Sequence, residues 1–178
     1  RIAVQPVDPQ QLPGQLDSGA IDLALVTPDS TPPGLHSAAL FDERYVCVMR
    51  ADHPESRHEV LTLERFCALD HALVSPAGGA FEGVTDHALA RIGRSRRVTV
   101  SVTSFLVLPE ILHTSDLIAV VPRRLALHTD GLVLREPPLD IPGFSKTLAW
   151  HERTHHDPAH TWLRSLLFDT AWARTPAG

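Results

Sequence analysis

Strand-length apolar runs alternate along this chain with amphipathic segments of helical length. That alternation predicts α/β architecture with a mainly parallel sheet, because parallel neighbours can be joined only by long crossovers. Residues 2–4 read as a first strand. Asp8-Pro9 then reads as a helix start, a capping carboxylate followed by a proline, with Leu12 and Leu16 one turn apart. Pro13 interrupts that regularity and is a second candidate for the first turn. Gly19 closes the helix, and residues 21–26 follow as an almost continuous apolar run of buried-strand length.

Residues 27–34, with three prolines, form a loop, and residues 45–49 read as the next strand. Thr62 caps a short helix containing Leu63 and Phe66. A second series begins with a strand at 72–74, a loop at 75–80 and a helix over 81–92 closed by Gly93, with Val84, Ala88 and Ile92 on one face. Residues 98–102 alternate as a strand, Thr103-Ser104 reads as the cap of a helix over 105–112, and 117–121 as a buried strand. Residues 123–127 read as helical and 132–134 as a short strand. The breaker-rich stretch 136–143 is where the chain is expected to cross between lobes. A strand at 147–150 and a final helix from Pro158 follow, with Trp162, Leu166 and Phe168 expected on its apolar face. No repeat of fixed period is visible.

Composition narrows the function classes. The 178 residues are enough for one ordinary domain or two small lobes. The net charge of -5 argues against a chain that grips phosphate backbones through its overall charge. No apolar run reaches the roughly 20 residues of a spanning helix, so no membrane partner is expected. Two cysteines cannot staple a chain of this length, which points to a reducing, cytoplasmic compartment. Cys47 shares a strand face with Tyr45 and Met49 and reads as a buried, inert thiol, as does Cys67 beneath a short helix. Arg1 leads directly into the strand-like residues 2–4 with no charged-then-apolar leader, and the sequence reads as a fragment or a trimmed chain.

Several motifs carry candidate chemistry. His151-Glu152-Arg153-Thr154-His155 satisfies the H-E-x-x-H template of zinc proteases. Trp150 and its neighbours read as a strand running into it, Asp157-Pro158 would interrupt a helix just after it, and no glutamate follows as third ligand, so a polar loop is the stronger reading. His155, His156 and His160 could chelate a surface metal, but no cofactor, metal or catalytic residue is assigned. The Pro76-Ala77-Gly78-Gly79 loop lacks phosphate-loop spacing, and Ser75 lies outside any G-x-S-x-G turn. Arg91, Arg94, Arg96 and Arg97 read as a solvated turn in preference to a nucleic-acid patch. The favoured site is Thr103, Ser104 and Phe105, because hydroxyls at a helix start stand beside unpaired backbone N–H groups and can hold an anion. An ordinary cap with Phe105 in the core is the competing reading.

The element order and five local phrases resemble the effector-binding domain of LysR-type transcriptional regulators. The phrases are Leu16-Asp17-Ser18-Gly19-Ala20-Ile21-Asp22-Leu23-Ala24-Leu25, Gly34-Leu35, Ala51-Asp52-His53-Pro54, the run from Asp116 through Pro122-Arg123-Arg124 to Ala126, and Trp150 through Asp157-Pro158 to Trp162-Leu163. The resemblance implies two Rossmann-like, periplasmic-binding-protein-like lobes joined by crossing strands, with residues 1–69 plus 139–178 as lobe one and 70–138 as lobe two. It implies a non-enzymatic sensor that holds a small effector, a carboxylate among the candidates, in the cleft between lobes, and that works as a homodimer or homotetramer. It adds weight to Thr103, Ser104 and Phe105, then Thr27, then Ser75 as effector contacts. It does not extend to the family's winged helix-turn-helix, through which DNA would be contacted, nor to the first strand and helix of lobe one. A stand-alone two-lobe solute-binding protein is the alternative reading.

Overall fold

A computed structural model describes residues 1–127 and 129–173. In chain order the elements are α1 (Leu12–Ser18), β1 (Ala24–Val26), β2 (His36–Glu43), β3 (Tyr45–Arg50), α2 (Leu63–Ala68), β4 (Asp70–Val74), α3 (Val84–Arg91) and β5 (Arg97–Val102). There follow α4 (Leu108–His113), β6 (Ile118–Pro122), α5 (Arg123–Ala126), β7 (Leu132–Arg135), β8 (Phe144–Trp150) and α6 (Pro158–Ala173). Short 3-10 turns occupy Pro28–Ser30, Pro54–Arg57 and Glu152–Thr154. Among the described residues no helix is long and apolar enough to cross a membrane.

The chain divides into two compact units, Arg1–Asp42 with Phe144–Gly178, and Glu43–Gly143. The division therefore falls at 42/43 and 143/144 instead of 69/70 and 138/139. The reason is strand pairing: β3 is antiparallel to both β6 and β7, so its apolar residues belong to the sheet of the second unit.

In the first unit the sheet order is β1-β8-β2, with β1 antiparallel to β8. Leu12 and Leu16 of α1 pack with Ala24, Val26 and Ala149, and Gly19 ends the helix at φ 80°. Arg153 Nε donates to the Leu16 carbonyl at 2.9 Å, satisfying one of the helix's free acceptors. The strand expected at residues 2–4 does not form. Ile2 and Val4 are 78% and 93% exposed, and no ladder reaches them, since the neighbour of β1 is β8. The buried strand expected over 21–26 shortens to β1, with Leu25 exposed.

The second unit holds a five-stranded sheet, β5-β4-β6-β3-β7, with β4 parallel to β5 and β6. The sheet is thus mixed, and only its β5-β4-β6 part is parallel. Strand alternation builds its two core layers. Val46 and Val48 of β3 face one layer with Leu108, Leu112 and Ala126 of α4 and α5. Cys47 and Met49 face the other with Phe66 of α2 and Leu89 of α3. Helices on both faces of the sheet make the unit Rossmann-like. Helix α3 starts at Val84 and turns Thr85, Ala88 and Leu89 inward, leaving Ile92 exposed. Of the expected Val84-Ala88-Ile92 stripe, Ala88 is buried and Val84 half-buried, whereas Ile92 lies past the end of the helix at Arg91 and is exposed.

Candidate functional site

Parallel β4 and β5 end side by side, and the loops that leave their carboxyl ends are bound together. Ser75 N donates to the Val102 carbonyl at 2.8 Å, and Ser101 Oγ donates to the Ala80 carbonyl at 2.6 Å. These two bonds strap the 75–80 loop across the end of β5. Gly78 and Gly79 take φ 79° and 76°, conformations that a side chain would strain. A Cβ on Gly78 would lie 3.5 Å from Thr103 Cγ2, so the glycine backbone runs directly beside Thr103. Among the described residues the Ser75 and Thr103 hydroxyls make no hydrogen bond to another group. The outside of the carboxyl ends of parallel strands is where open α/β sheets hold ligands.

The structure therefore brings Ser75, Thr103 and Ser104 to one place. Their support differs from the sequence expectation. Thr103 and Ser104 do not cap a helix over 105–112: a turn occupies 105–107, Val107 is the cap position of α4, and Pro109 stands in its first turn. Ser104 Oγ accepts instead from Leu106 N at 3.2 Å. Phe105 is half-buried against the core and lines a crevice of about 30 Å³ with Leu108, Leu112 and Leu125, room for roughly one water. Thr27 belongs to the first unit, where it follows β1 and spends its hydroxyl on Ser30 Oγ at 2.8 Å.

Two contributors had no strong sequence signal. Ser101 is one residue among an alternating strand, and only its reach to Ala80 marks it. Exposed Leu106 and Val107 come soon after Ser104 in the chain, so this loop carries apolar surface as well as hydroxyls.

Behind these loops a buried charged network fixes the start of α3. Arg96, its side chain 1% exposed, donates to both Asp86 oxygens at 2.8 Å, and Asp86 Oδ2 accepts from Gly83 N. Burial opposes the Asp86 charge, but the Arg96 guanidinium outweighs it and holds this carboxyl below its usual range. Arg96 also donates to His71 Nδ1 at 3.2 Å, while His71 Nε2 donates to the Phe66 carbonyl at 2.8 Å. Burial, reinforced by Arg96, pushes the His71 imidazole down to about 4. The expected solvated arginine turn is thus partly internal, and Arg97 pairs with Asp70. Burial pushes the Cys47 thiol up to about 12 and raises Cys67 too, so neither is poised as a thiolate.

The H-E-x-x-H residues do not share a helix face. His151 and His155 flank the 3-10 turn Glu152–Thr154, His151 accepting from Arg153 N at 3.3 Å and His155 from the Trp150 indole. Among the described residues no three His, Cys, Asp or Glu side chains are placed to hold a metal.

The LysR substrate binding domain family model matches residues 1–172. The chain is 38% identical over 157 residues to the HTH-type transcriptional activator NahR of Pseudomonas putida, covering 86% of this chain and 52% of that protein. It spans about half the length of the curated relatives it matches. Among solved structures, the regulatory domain of MexT, a transcriptional activator in Pseudomonas aeruginosa, superposes with a TM-score of 0.72 at 32% identity, over 89% of this chain and 76% of that one. The effector binding domain of QuiR in complex with shikimate shares the fold with a TM-score of 0.69 at 16% identity, over 95% of this chain and 80% of that one.

Proposed function

The chain belongs to the LysR substrate-binding domain family, and from that premise we propose that it is the effector-sensing part of a LysR-type transcriptional regulator. The observation that carries this reading is the pair of strapped loops beyond parallel β4 and β5, where the Ser75 and Thr103 hydroxyls make no hydrogen bond among the described residues and Thr103 lies against the Gly78 backbone. A small effector with an anionic or strongly polar group, such as a carboxylate, meets its hydrogen-bonding needs at Ser75, Thr103 and Ser104 and sets its apolar part against Leu106. Phe105 backs the site from the core. The structural neighbour bound to shikimate supports a small-molecule effector. Binding alters transcription only if the effector prefers one arrangement of the regulator over another, because an equal affinity for both shifts nothing.

For the whole protein, the reading includes DNA contact through a winged helix-turn-helix, assembly as a homodimer or homotetramer, a cytoplasmic location and no enzymatic step. The regulators among its relatives support it over capture and delivery of a solute. The test is a thermal-shift screen of aromatic and aliphatic carboxylic acids against the full-length regulator, paired with a reporter strain. A stabilising acid whose reporter response is lost in Ser104→Ala and Thr103→Val is the expected outcome. If no acid stabilises the protein and both variants respond like the parent, the site is wrong.

A further inference from the structure

The carboxyl end of β8 carries an arrangement of rings that effector binding does not use. His155 stacks on His36 of β2 with ring centres 3.9 Å apart and planes 6° from parallel. The Trp150 indole N–H donates to His155 Nδ1 at 3.1 Å, and Trp150 is itself buried. On the Trp150 ring lies the Arg164 guanidinium of α6 at 4.7 Å, whose nitrogens also donate to the Thr154 and His155 carbonyls at 3.0 and 2.6 Å. His36 Nε2 is in contact with the Glu152 carboxylate, and exposed His156 meets the His155 ring edge-on. These contacts join β2, β8, the turn at Glu152–Thr154 and the first turns of α6, all within the first unit.

An indole N–H can only donate, so His155 Nδ1 must present a lone pair and its ring proton must be on Nε2. A second proton would have to enter at Nδ1, where it would point an N–H at another N–H. We propose that this junction is a proton-operated latch, closed by neutral His155 and opened when His155 takes up a proton. The charged and titratable groups facing His155 are His36 from β2, Glu152 from the 3-10 turn, His156 beside it and Arg164 from α6. Glu152 alone is negative, and its carboxylate is in contact with His36; the Arg164 guanidinium disfavours a further positive charge on His155. Desolvation, aided by His36 and His156, holds the His155 imidazole below its ordinary range. The neutral form is the one favoured in the fold, so the latch is fully closed above the ordinary histidine value of about 6.5 and is lost as pH falls through the depressed value. Opening frees the Trp150 indole and loosens the start of α6. This inference stands whether or not the chain senses an effector.

The test is an NMR titration of the intact chain from about pH 7.5 to about pH 5, following the His155 ring and the Trp150 indole N–H. The two signals are expected to change together, with a midpoint below that of exposed histidines. Trp150→Phe removes the donor and is expected to raise the proton affinity of His155 about five-fold. His155→Asn retains an acceptor for the indole but cannot titrate, so the Trp150 signal should stay constant across the range, which keeps the test available if Trp150→Phe fails to fold. A Trp150 signal that ignores His155 protonation in the parent chain, or one that still titrates in His155→Asn, overturns the proposal.

Discussion

Acid should weaken the second unit through one buried ring. His71 is fully buried against Phe66, its ring edge-on at 4.6 Å, with one nitrogen donating to the Phe66 carbonyl and the other accepting from Arg96. Both nitrogens are satisfied only in the neutral form, and a proton on Nδ1 would face the Arg96 guanidinium. The native value of about 4 stands against 6.5 for a free imidazole. A depressed native value means that the unfolded chain binds the proton first. The stabilisation is therefore complete above 6.5 and drains away as pH falls towards 4. At 1.36 kcal/mol per unit, the loss is about 2 kcal/mol between roughly pH 7.5 and pH 5, and about 3 kcal/mol once both states are protonated. Urea unfolding of the chain and of His71→Gln across that range isolates the ring from the other histidines, and hydrogen exchange at β4 localises the effect. Glutamine removes the titration, so the variant should start about 1 kcal/mol less stable at neutral pH yet lose about 2 kcal/mol less on acidification. If the two proteins lose stability in parallel, His71 is not the group that senses acid and the network reasoning fails.

The other predictions concern packing and backbone and can be read by equilibrium unfolding. Gly143→Ala would drive a Cβ into the Glu43 carbonyl oxygen and should cost about 1 to 3 kcal/mol, whereas Gly14→Ala, with nothing near its Cβ on α1, should be neutral or gain up to about 1 kcal/mol. Leu112→Ala, fully buried beneath the sheet, should cost about 2 to 5 kcal/mol with the fold retained. Glu43→Ala should lose about 2 kcal/mol or more, because the buried carboxylate accepts from Arg44 N at 3.0 Å and Arg124 N at 3.2 Å and both would be left without it.

Much of the fold is legible where local pattern is strong. Strand β3 alternates Val46 and Val48 against Cys47 and Met49, and both sets are buried on opposite faces. Pro13 marks the first turn of α1, and Pro109 marks that of α4 by the same rule, which overrides the hydroxyls at 103 and 104 as a helix signal. Strand β2 is not legible, because His36-Ser37-Ala38-Ala39 has little strand propensity and becomes a strand by pairing with β8. The last helix is predicted but turned wrongly. Trp162 and Leu166 face outward, and Arg164 takes the inner position because Trp150 and two carbonyls receive it there. At the candidate site the residue types stand out in the sequence, whereas the strap from Ser101 to Ala80 does not.

The sequence by itself determined the run of elements and their class, since hydrophobic period, prolines and closing glycines act over a turn or two of chain. Only the tertiary structure decided which strands became neighbours. The choice of β6 and β7 as partners for β3 moved the boundary to Glu43, and the parallel pairing of β4 and β5 brought Ser75 beside Thr103. His36 and His155 likewise meet because β2 is in the same sheet as β8. Such contacts depend on which distant surfaces exclude water from one another, a property of the folded whole that no local stretch of residues contains.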